Sequence, residues 1–287
     1  MQAQAGKKDE IIIFLHLPKC GGTTLNRLME WEYNPLRVFS IDPSFFQWSF
    51  SRLWKTPVSR LRKIEVFKGH MPFGLHERLE KPATYITVLR DPVDRAISAY
   101  YYMRSRRLDP QHSMAMRYTL EEFVRNTRNH NVQTKMLAGH DRSYNFIGGD
   151  CDESTLHAAM RNLSERFSLV GLTERFDEAL AIAKIRFGWK VNQYAEFNVT
   201  GERPRRDAIA PATREMIAER HRFDVELYRH ATTLFDRAAM QEGERLREGL
   251  EEIRQAKSLG AVGSSSYRIA SAARKAISRA HSALLTL

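Results

Sequence analysis

The chain has 287 residues, of which 43% are hydrophobic and 28% charged, and its formal net charge is +11. This balance is typical of a globular protein with one large domain or two small ones. No run reaches the roughly 20 apolar residues that cross a bilayer, and two cysteines are too few for a disulfide framework. The composition excludes a disulfide scaffold, and we expect a cytoplasmic protein with free thiols at Cys20 and Cys151.

Apolar runs that alternate with helical patterns predict a parallel sheet. Residues 11–17 form the first predicted strand, and a helix follows from about Thr23. Four later stretches also read as strands: "LRVFSI", "EVFKGHM", "TYITVLRD" and "FSLVGLTE". Pro92 suits the first turn of a helix that would run to about Arg106. Strands alternating with helices are typical of an α/β fold, here a doubly wound parallel sheet flanked by helices.

The C-terminal part is predicted to be mostly helical. A helical pattern dominates from about residue 213 to 258, and "GAVGSSS" has the composition of a flexible linker. Beyond it lies a basic stretch without acidic residues. On a helical wheel its apolar residues share one face, and these are Ile269, Ala273, Ala276, Ile277, Ala280 and Leu284. We divide the chain into an α/β domain, 1–245, and a helical extension, 246–287, with a basic amphipathic tail. A mobile or self-docking tail is favoured over peripheral membrane contact.

The stretch "IIIFLHLPKCGGTTL" passes from a strand through a glycine loop into a helix. A helix N-terminus gathers unpaired N–H groups and binds phosphate readily. Gly21 and Gly22 would let the backbone approach an anion closely, and Lys19 would add a full charge. The usual triphosphate loop places its lysine after the glycines, whereas here the lysine precedes them. The loop is therefore predicted to hold fewer or different phosphates, with a tight turn and a solvated lysine as the alternative.

A second candidate phosphate site lies in "VLRDPVDRAISAYYYM". Arg90 stands at the end of a predicted strand, where ligands collect in open α/β sheets. Ser98 follows about two helical turns later, and an arginine fork suits a phosphate dianion. The alternative is an ordinary surface ion pair beside a helix serine.

Together the two stretches resemble the cofactor motifs of sulfotransferases that use 3′-phosphoadenosine-5′-phosphosulfate (PAPS). "FLHLPKCGGTTL" is similar to their 5′-phosphosulfate loop and "VLRDPVDRAISAYY" to their 3′-phosphate motif. "GHMPFG", "NVQTKMLAG" and "LVGLTERFDEAL" resemble the carbohydrate-type branch that includes the heparan and uronyl 2-O-sulfotransferases. The likeness covers roughly residues 10–200, and more loosely to 240. It implies a P-loop-like α/β fold without ATPase chemistry.

The resemblance also implies roles for individual residues. Lys19 would contact the sulfonate, while Arg90 and Ser98 would take the 3′-phosphate. Gln133 and Thr134 would lie near the adenine side. The cradle of the 5′-phosphate would be Gly21, Gly22, Thr23, Thr24 and Leu25. The 198–206 region would fold over the cofactor, and its arginines could bind phosphate or an anionic acceptor or simply form a solvated loop: Arg203, Arg205 and Arg206.

A base is needed to take the proton of the acceptor hydroxyl, and a histidine or carboxylate suits this role. His70 is the candidate, because it follows a strand end and matches the histidine of the family's "G-H" motif. The family commonly has another histidine two residues earlier, where this chain has Lys68, so the acceptor contacts differ. Lys68 and His76 are predicted to bind substrate. The alternative bases are His16, His76 and Glu77. No spacing of histidines and cysteines suggests a metal site.

The leading hypothesis is a PAPS-dependent sulfotransferase that acts on a hydroxyl of a saccharide or glycosylated metabolite. The net positive charge favours anionic partners in general, but the motifs favour a phosphorylated cofactor over nucleic acid. A small-molecule kinase with an atypical phosphate loop is one alternative. A non-catalytic adaptor that binds nucleotides or polyanions is another. A homo-oligomer is compatible with the sequence, which does not name the acceptor.

Overall fold

The computed structural model describes residues 10–41, 46–140, 147–191, 203–258 and 265–286. Five strands form one parallel sheet in the order β2-β3-β1-β4-β5. The strands are β1 (Ile11–Leu15), β2 (Val38–Ser40), β3 (Val66–Gly69), β4 (Ala83–Leu89) and β5 (Phe167–Leu172). All five predicted strands are present, and the predicted α/β class is confirmed.

Helices connect the strands and cover the sheet. They are α1 (Gly22–Glu32), α2 (Phe46–Lys55), α3 (Val58–Leu61), α4 (Pro92–Ser105), α5 (His112–Arg117), α6 (Leu120–Asn126), α7 (Val132–Ala138), α8 (Glu153–Arg166), α9 (Phe176–Phe187), α10 (Pro211–Arg220), α11 (Arg222–Ser258) and α12 (Ser265–Leu285). Within the described ranges, no helix has both the length and the hydropathy needed to cross a membrane.

The central strand β1 determines where the site lies. Every residue of β1 is buried, as expected of a strand with both faces covered. The chain goes from β1 outward to β2 and returns through β3, and then β4 pairs with the other side of β1. The strand order therefore reverses between β1 and β4. In open α/β sheets ligands bind beyond the carboxyl ends of the strands at such a point. The loops that start after Leu15 and Leu89 meet there.

The long helix α11 packs on the sheet and does not belong to a separate unit. It contacts α9, α8 and β5, and its non-helical backbone at Gly243 produces a kink. Leu246 and Ile253 lie beyond residue 245, yet both are buried in the same hydrophobic core as β1. The predicted domain boundary at residue 245 therefore does not separate two cores.

The last helix, α12, docks on the edge strand β2 through serine side chains. The Ser278 hydroxyl donates to the Val38 carbonyl at 3.0 Å and lies 2.7 Å from the Ser40 hydroxyl. The Ser282 hydroxyl accepts from the Ser40 N–H at 2.8 Å. Arg274 adds hydrogen bonds to backbone carbonyls at the end of α1. These bonds satisfy backbone groups on the outer edge of β2. The predicted linker at 260–266 lies mostly outside the described residues.

The docking of α12 gives a stability prediction. Ser278→Ala removes a buried hydroxyl and leaves the Val38 carbonyl without that donor, so the free energy of unfolding should fall by about 1–3 kcal/mol. Urea denaturation measures the change, and the exposed Ser59 supplies the matched control, Ser59→Ala. Equal stability of the two variants would contradict a docked α12.

Candidate cofactor site

The loop after β1 places a lysine and two glycines at the point where the strand order reverses. Lys19 has φ 68° and Gly21 has φ 71°, both in the left-handed region. Helix α1 begins at Gly22, one residue before the predicted start. Gly21 precedes it, and no side chain caps the first turn. The first N–H groups of α1 therefore suit an anion rather than a capping side chain.

Gly22 is required by packing. A Cβ at this position would lie 2.2 Å from the ring of His16, so no side chain fits without moving that ring. Sequence reasoning explained Gly22 by close approach to a phosphate, and the structure adds this second reason. Thr24 is buried and donates its N–H to the Gly21 carbonyl at 3.1 Å. Leu25 is part of the hydrophobic core, where it supports the loop from below.

The ammonium group of Lys19 lies among other cations. Its Nζ is 3.7 Å from the centre of the Tyr102 ring, and in the described part of the chain no carboxylate forms a salt bridge with it. The pKa of Lys19 is lowered to about 8. Burial is the largest cause, and the charges of Arg90, Arg106 and Arg203 act in the same direction. The charged form of such a lysine is stabilised when an anion binds beside it.

Arg90 and Arg203 share one carboxylate. Asp94 accepts from Arg90 at 3.3 Å with one oxygen and from Arg203 at 2.7 Å with the other. The Nε groups of both arginines are buried and have no hydrogen-bond partner among the described residues. Arg90 also donates to the Lys19 carbonyl at 3.3 Å, which joins the two loops. An excess of positive charge with unused donors fits a ligand that carries phosphate or sulfate groups.

Ser98 lies on the same side of α4 as Asp94. The two residues are four positions apart, and this spacing places side chains on one face of a helix. Ser98 is buried. The structure therefore brings Arg90 and Ser98 to one region, as the sequence predicted. Of the arginines predicted near the cofactor, Arg203 joins this cluster, whereas Arg206 forms an ion pair with Asp91 at 2.9 Å. Residues 198–202 lie outside the described ranges, and Arg205 is exposed.

Two side chains, those of Gln133 and Thr173, hold the cofactor loops together. The Gln133 side chain accepts from the Arg90 N–H and donates to the Arg90 carbonyl, both at 3.0 Å. It also accepts from the Cys20 thiol at 3.3 Å. The Thr173 hydroxyl lies 2.9 Å from the carbonyls of Cys20 and Leu89. Gln133 is fully buried, and its bonds to Arg90 and Cys20 position the loops. The sequence analysis did not identify this role of Gln133, and it identified no role for Thr173.

Thr134 likewise binds the protein. Its hydroxyl and its N–H both donate to Asp224 at 2.8 Å, and Asp224 is fully buried on α11. This interaction fixes the start of α7, and hence Gln133, to the C-terminal helix. Thr134 therefore contributes to the scaffold that supports the site.

The geometry of His70 suits a general base. Its Nδ1 lies 2.6 Å from the His16 carbonyl, and a carbonyl only accepts, so Nδ1 carries the proton. In the neutral ring Nε2 then has the lone pair. Burial lowers the pKa of His70, with the His16 carbonyl acting in the opposite direction. The ring is therefore neutral near pH 7 and able to take a proton.

His16 is less suited to proton transfer. Its Nδ1 accepts from the Asn26 amide at 3.0 Å, so the neutral ring carries its proton on Nε2. The ring is buried, stacks on Phe14 and lies 4.4 Å from the His70 ring, measured between centroids. Burial, followed by the charge of His70, holds the pKa of His16 well below its usual range. His16 packs between Gly22 and His70 and positions both.

Lys68 and His76, the two residues predicted to bind substrate, both have partners within the protein. Lys68 is buried and forms an ion pair with Glu30 at 2.6 Å. Burial lowers its pKa to about 8, although Glu30 raises it. The His76 Nδ1 accepts from the Tyr85 hydroxyl at 2.9 Å. Tyr85 lies on β4, four residues before the end of that strand.

Glu77, an alternative base, is exposed on the same turn as His76. Among the described residues, no group of three or more metal-ligating side chains could hold a metal ion.

The sequence model of the galactose-3-O-sulfotransferase family matches residues 3–262. The chain belongs to this family. It is 28% identical to galactose-3-O-sulfotransferase 3 of Homo sapiens over 86% of this chain and 62% of that protein. It is 30% identical to galactosylceramide sulfotransferase of Mus musculus over 67% of this chain and 48% of that protein. The predicted kinship with sulfotransferases is confirmed.

The relatives also include a member of the predicted 2-O-sulfotransferase branch. A heparan sulfate 2-O-sulfotransferase of Caenorhabditis elegans is 25% identical over 62% of this chain and 60% of that protein. A solved structure of a mouse sulfotransferase complexed with PAP, 3′-phosphoadenosine-5′-phosphate, matches with a TM-score of 0.37 and 16% identity. It covers 78% of this chain and 68% of that one, and a likeness this low carries no argument by itself.

The chain spans about three fifths of the length of the first relatives. These relatives are carbohydrate sulfotransferases of the Golgi type, so the predicted cytoplasmic location is wrong. That prediction relied on the cysteine count and on the lack of an apolar run, and neither property identifies a compartment.

The contact between Gly22 and His16 can be tested by a double-mutant cycle. Gly22→Ala should lower the free energy of unfolding by about 1–3 kcal/mol, because the new methyl group overlaps the His16 ring. In a His16→Ala background the same change should cost much less, since the ring is gone. Thermal unfolding measures both effects. Equal costs in the two backgrounds would show that the ring does not restrict position 22.

Proposed function

We propose that this protein transfers a sulfuryl group from PAPS to a hydroxyl group of a saccharide. Membership of the galactose-3-O-sulfotransferase family supports the reaction class. The observation that carries the proposal is the cation cluster beyond β1 and β4, in which Arg90 and Arg203 share the Asp94 carboxylate and the charges of both arginines act on Lys19. A donor with phosphate and sulfate groups supplies the missing negative charge.

Each loop would hold one end of the donor. The N–H groups at the start of α1, with Thr23 and Thr24, suit the 5′-phosphate, and Lys19 suits the sulfonate. Arg90, Ser98 and Arg203 suit the 3′-phosphate. When bound, PAPS supplies the activated sulfuryl group. The charge that develops on the leaving phosphate oxygen would be stabilised by donors already in place, as electrostatic catalysis requires.

His70 would take the proton of the acceptor hydroxyl. Its Nε2 has the lone pair because Nδ1 donates to the His16 carbonyl at 2.6 Å. The same carbonyl stabilises the imidazolium once the proton has arrived, since Nδ1–H remains directed at it. A neutral ring near pH 7 is the starting state, and its lowered pKa supports this.

A galactose residue is the acceptor that the family favours. The matching family and the first relatives are named for galactose or galactosylceramide. We infer that the acceptor is galactose in a glycan or a glycolipid, and that its 3-hydroxyl is sulfated. The kinase alternative has no support from the family match, and the adaptor alternative is tested by activity.

The role of Lys19 predicts a pH dependence of cofactor binding. An anion raises the pKa of Lys19 from about 8, so its contribution to affinity is complete below pH 8. As the pH rises above that value, affinity should fall by up to about tenfold per pH unit. Calorimetry with PAPS in the absence of acceptor measures this, because PAP lacks the sulfonate that Lys19 would contact. In Lys19→Ala the affinity should be roughly 10- to 100-fold weaker at neutral pH, without an alkaline decline.

Two controls sharpen this experiment. Lys19→Arg keeps its charge at every pH used, so its affinity should not decline above pH 8. Lys81→Ala removes an exposed lysine elsewhere and should bind as the wild type does. Stronger binding of magnesium ATP than of PAP would contradict the proposal, and so would an identical pH profile in wild type and Lys19→Ala.

The base can be tested by separating kcat from donor binding. His70→Ala should lower kcat by about 10²- to 10⁴-fold with galactosides as acceptors, and its affinity for PAP should remain close to that of the wild type. His76→Ala should lose stability but keep kcat, because His76 binds Tyr85 and not the reacting atoms. Full activity of His70→Ala would assign the proton transfer to another group.

A further inference from the structure

Two side chains on one face of α11 are linked to the strand end that carries Arg90. Asp224 and Tyr228 are four positions apart, and this spacing places them on the same side of a helix. Asp224 is fully buried and Tyr228 is partly buried. The sequence analysis identified neither residue, and the proposed chemistry uses neither. Two separate routes of hydrogen bonds connect them to Arg90 and to the residue that follows it.

The first route runs through Asp224 and α7. One carboxylate oxygen of Asp224 accepts from the N–H and the hydroxyl of Thr134, both at 2.8 Å, and the other accepts from the Gln133 N–H at 3.4 Å. Asn131, which precedes α7, does not cap the helix with its side chain, so Asp224 supplies the acceptor for these N–H groups. The Gln133 side chain in turn binds both the N–H and the carbonyl of Arg90 at 3.0 Å.

Asp224 also contacts α4, the helix that follows Arg90. Its carboxylate lies 3.8 Å from the Nε of Arg95, and both side chains are buried. Removing one member of a buried ion pair leaves the other without compensation. The pair therefore connects α11 to the helix that carries Asp94 and Ser98.

The second route runs through Tyr228 and Glu174. The Tyr228 hydroxyl donates to one oxygen of the Glu174 carboxylate at 2.8 Å, and the other oxygen accepts from the Asp91 N–H at 3.0 Å. Burial, followed by the hydrogen bond to Glu174, raises the pKa of Tyr228, so its hydroxyl stays protonated and donates. The Asp91 side chain caps α4 by accepting from the Asp94 N–H at 3.0 Å. This route reaches the same strand end without passing through α7.

The two routes restrain a segment that carries a charge among like charges. The charges of Arg90, Lys19 and Arg203 act on one another, and repulsion between them favours movement of the Arg90 segment away from the other cations. Gln133 holds the backbone of Arg90 itself, and Glu174 holds the N–H of the next residue. A guanidinium that is already fixed binds its ligand with less loss of conformational freedom, and this raises affinity.

We propose that Asp224 and Tyr228 are positioning residues that set the selectivity of this protein for nucleotides with a 3′-phosphate. They act through the backbone at Arg90 and Asp91 rather than through contact with the donor. Their role rests on the proposed function, in which Arg90 binds the 3′-phosphate, and it assigns part of the donor selectivity to the C-terminal helix α11. The 5′-phosphate would be held by the start of α1, so its binding should be nearly independent of Tyr228.

Tyr228→Phe tests the second route with a small change. The variant keeps the ring and removes only the hydroxyl that holds Glu174. Calorimetry compares PAP with adenosine 5′-phosphate, which lacks the 3′-phosphate. Affinity for PAP should fall about three- to tenfold, whereas affinity for adenosine 5′-phosphate should remain that of the wild type. Thr233→Ala is the matched control, because Thr233 is exposed on α11 and its hydroxyl donates within the helix to the Arg229 carbonyl at 3.2 Å.

A double-mutant cycle shows whether the effect passes through Arg90. Arg90→Ala removes the guanidinium, so Tyr228→Phe should have no further effect on PAP affinity in that background. An effect of equal size there would contradict the proposal. Asp224→Asn tests the first route with the same two ligands and should also lower the ratio of the two affinities. It removes one charge of a buried pair and lowers stability, so its affinities are measured well below its thermal midpoint.

The wild-type affinities separate failure of this proposal from failure of the proposed function. If the wild type binds PAP no more tightly than adenosine 5′-phosphate, it has no 3′-phosphate site, and both the positioning role and the proposed function are wrong. If the wild type prefers PAP and Tyr228→Phe keeps the same ratio of affinities, only the positioning role is wrong. An equal loss for both ligands gives this same ratio, because a general weakening of the fold does not distinguish the two nucleotides.

Discussion

Positive charge crowded at the carboxyl ends of β1 and β4 is the constraint on which the rest of the site depends. Arg90 and Arg203 share Asp94, and their charges also act on Lys19, so the mutual repulsion of the three cations opposes folding until an anion binds. The surrounding structure holds the two loops close together in spite of this repulsion. Gln133 and Thr173 bind the backbone of both loops, and backbone contacts do not neutralise the side-chain charges. The loops are thus kept close while their cations remain available to a ligand.

The sequence was sufficient to predict the sheet and the two cofactor loops. All five strands were recognised because β-branched and apolar runs were bounded by turn residues, and β1 is buried on both faces as a continuous apolar run should be. Lys19 and Arg90 follow strands that turn out to be neighbours, so the carboxyl-edge rule placed them correctly. Family membership confirmed the resemblance that the loop motifs carried.

Other parts of the site depend on contacts that no local pattern encodes. Gln133 lies 43 positions from Arg90, and its role arises only when α7 packs beside β4. Lys68 was read as a contact for substrate, but Glu30 on α1 lies close enough to bind it in the core. The helical wheel of the tail grouped Ala273, Ala276, Ile277, Ala280 and Leu284, which are exposed in the structure, while the side chain of Ile269 lies outside the described residues. It did not say which side faces inward, because that depends on the unpaired backbone of β2.

The serine contacts of α12 have a consequence for solubility. A parallel sheet has open edges, and an edge strand with free N–H and C=O groups can pair with a strand of another molecule. At the β2 edge, Ser278 and Ser282 bind the backbone of Val38 and Ser40, so these groups are not available to a foreign strand. Helix α12 therefore protects the β2 edge from pairing with a strand of another molecule, which would lead to aggregation.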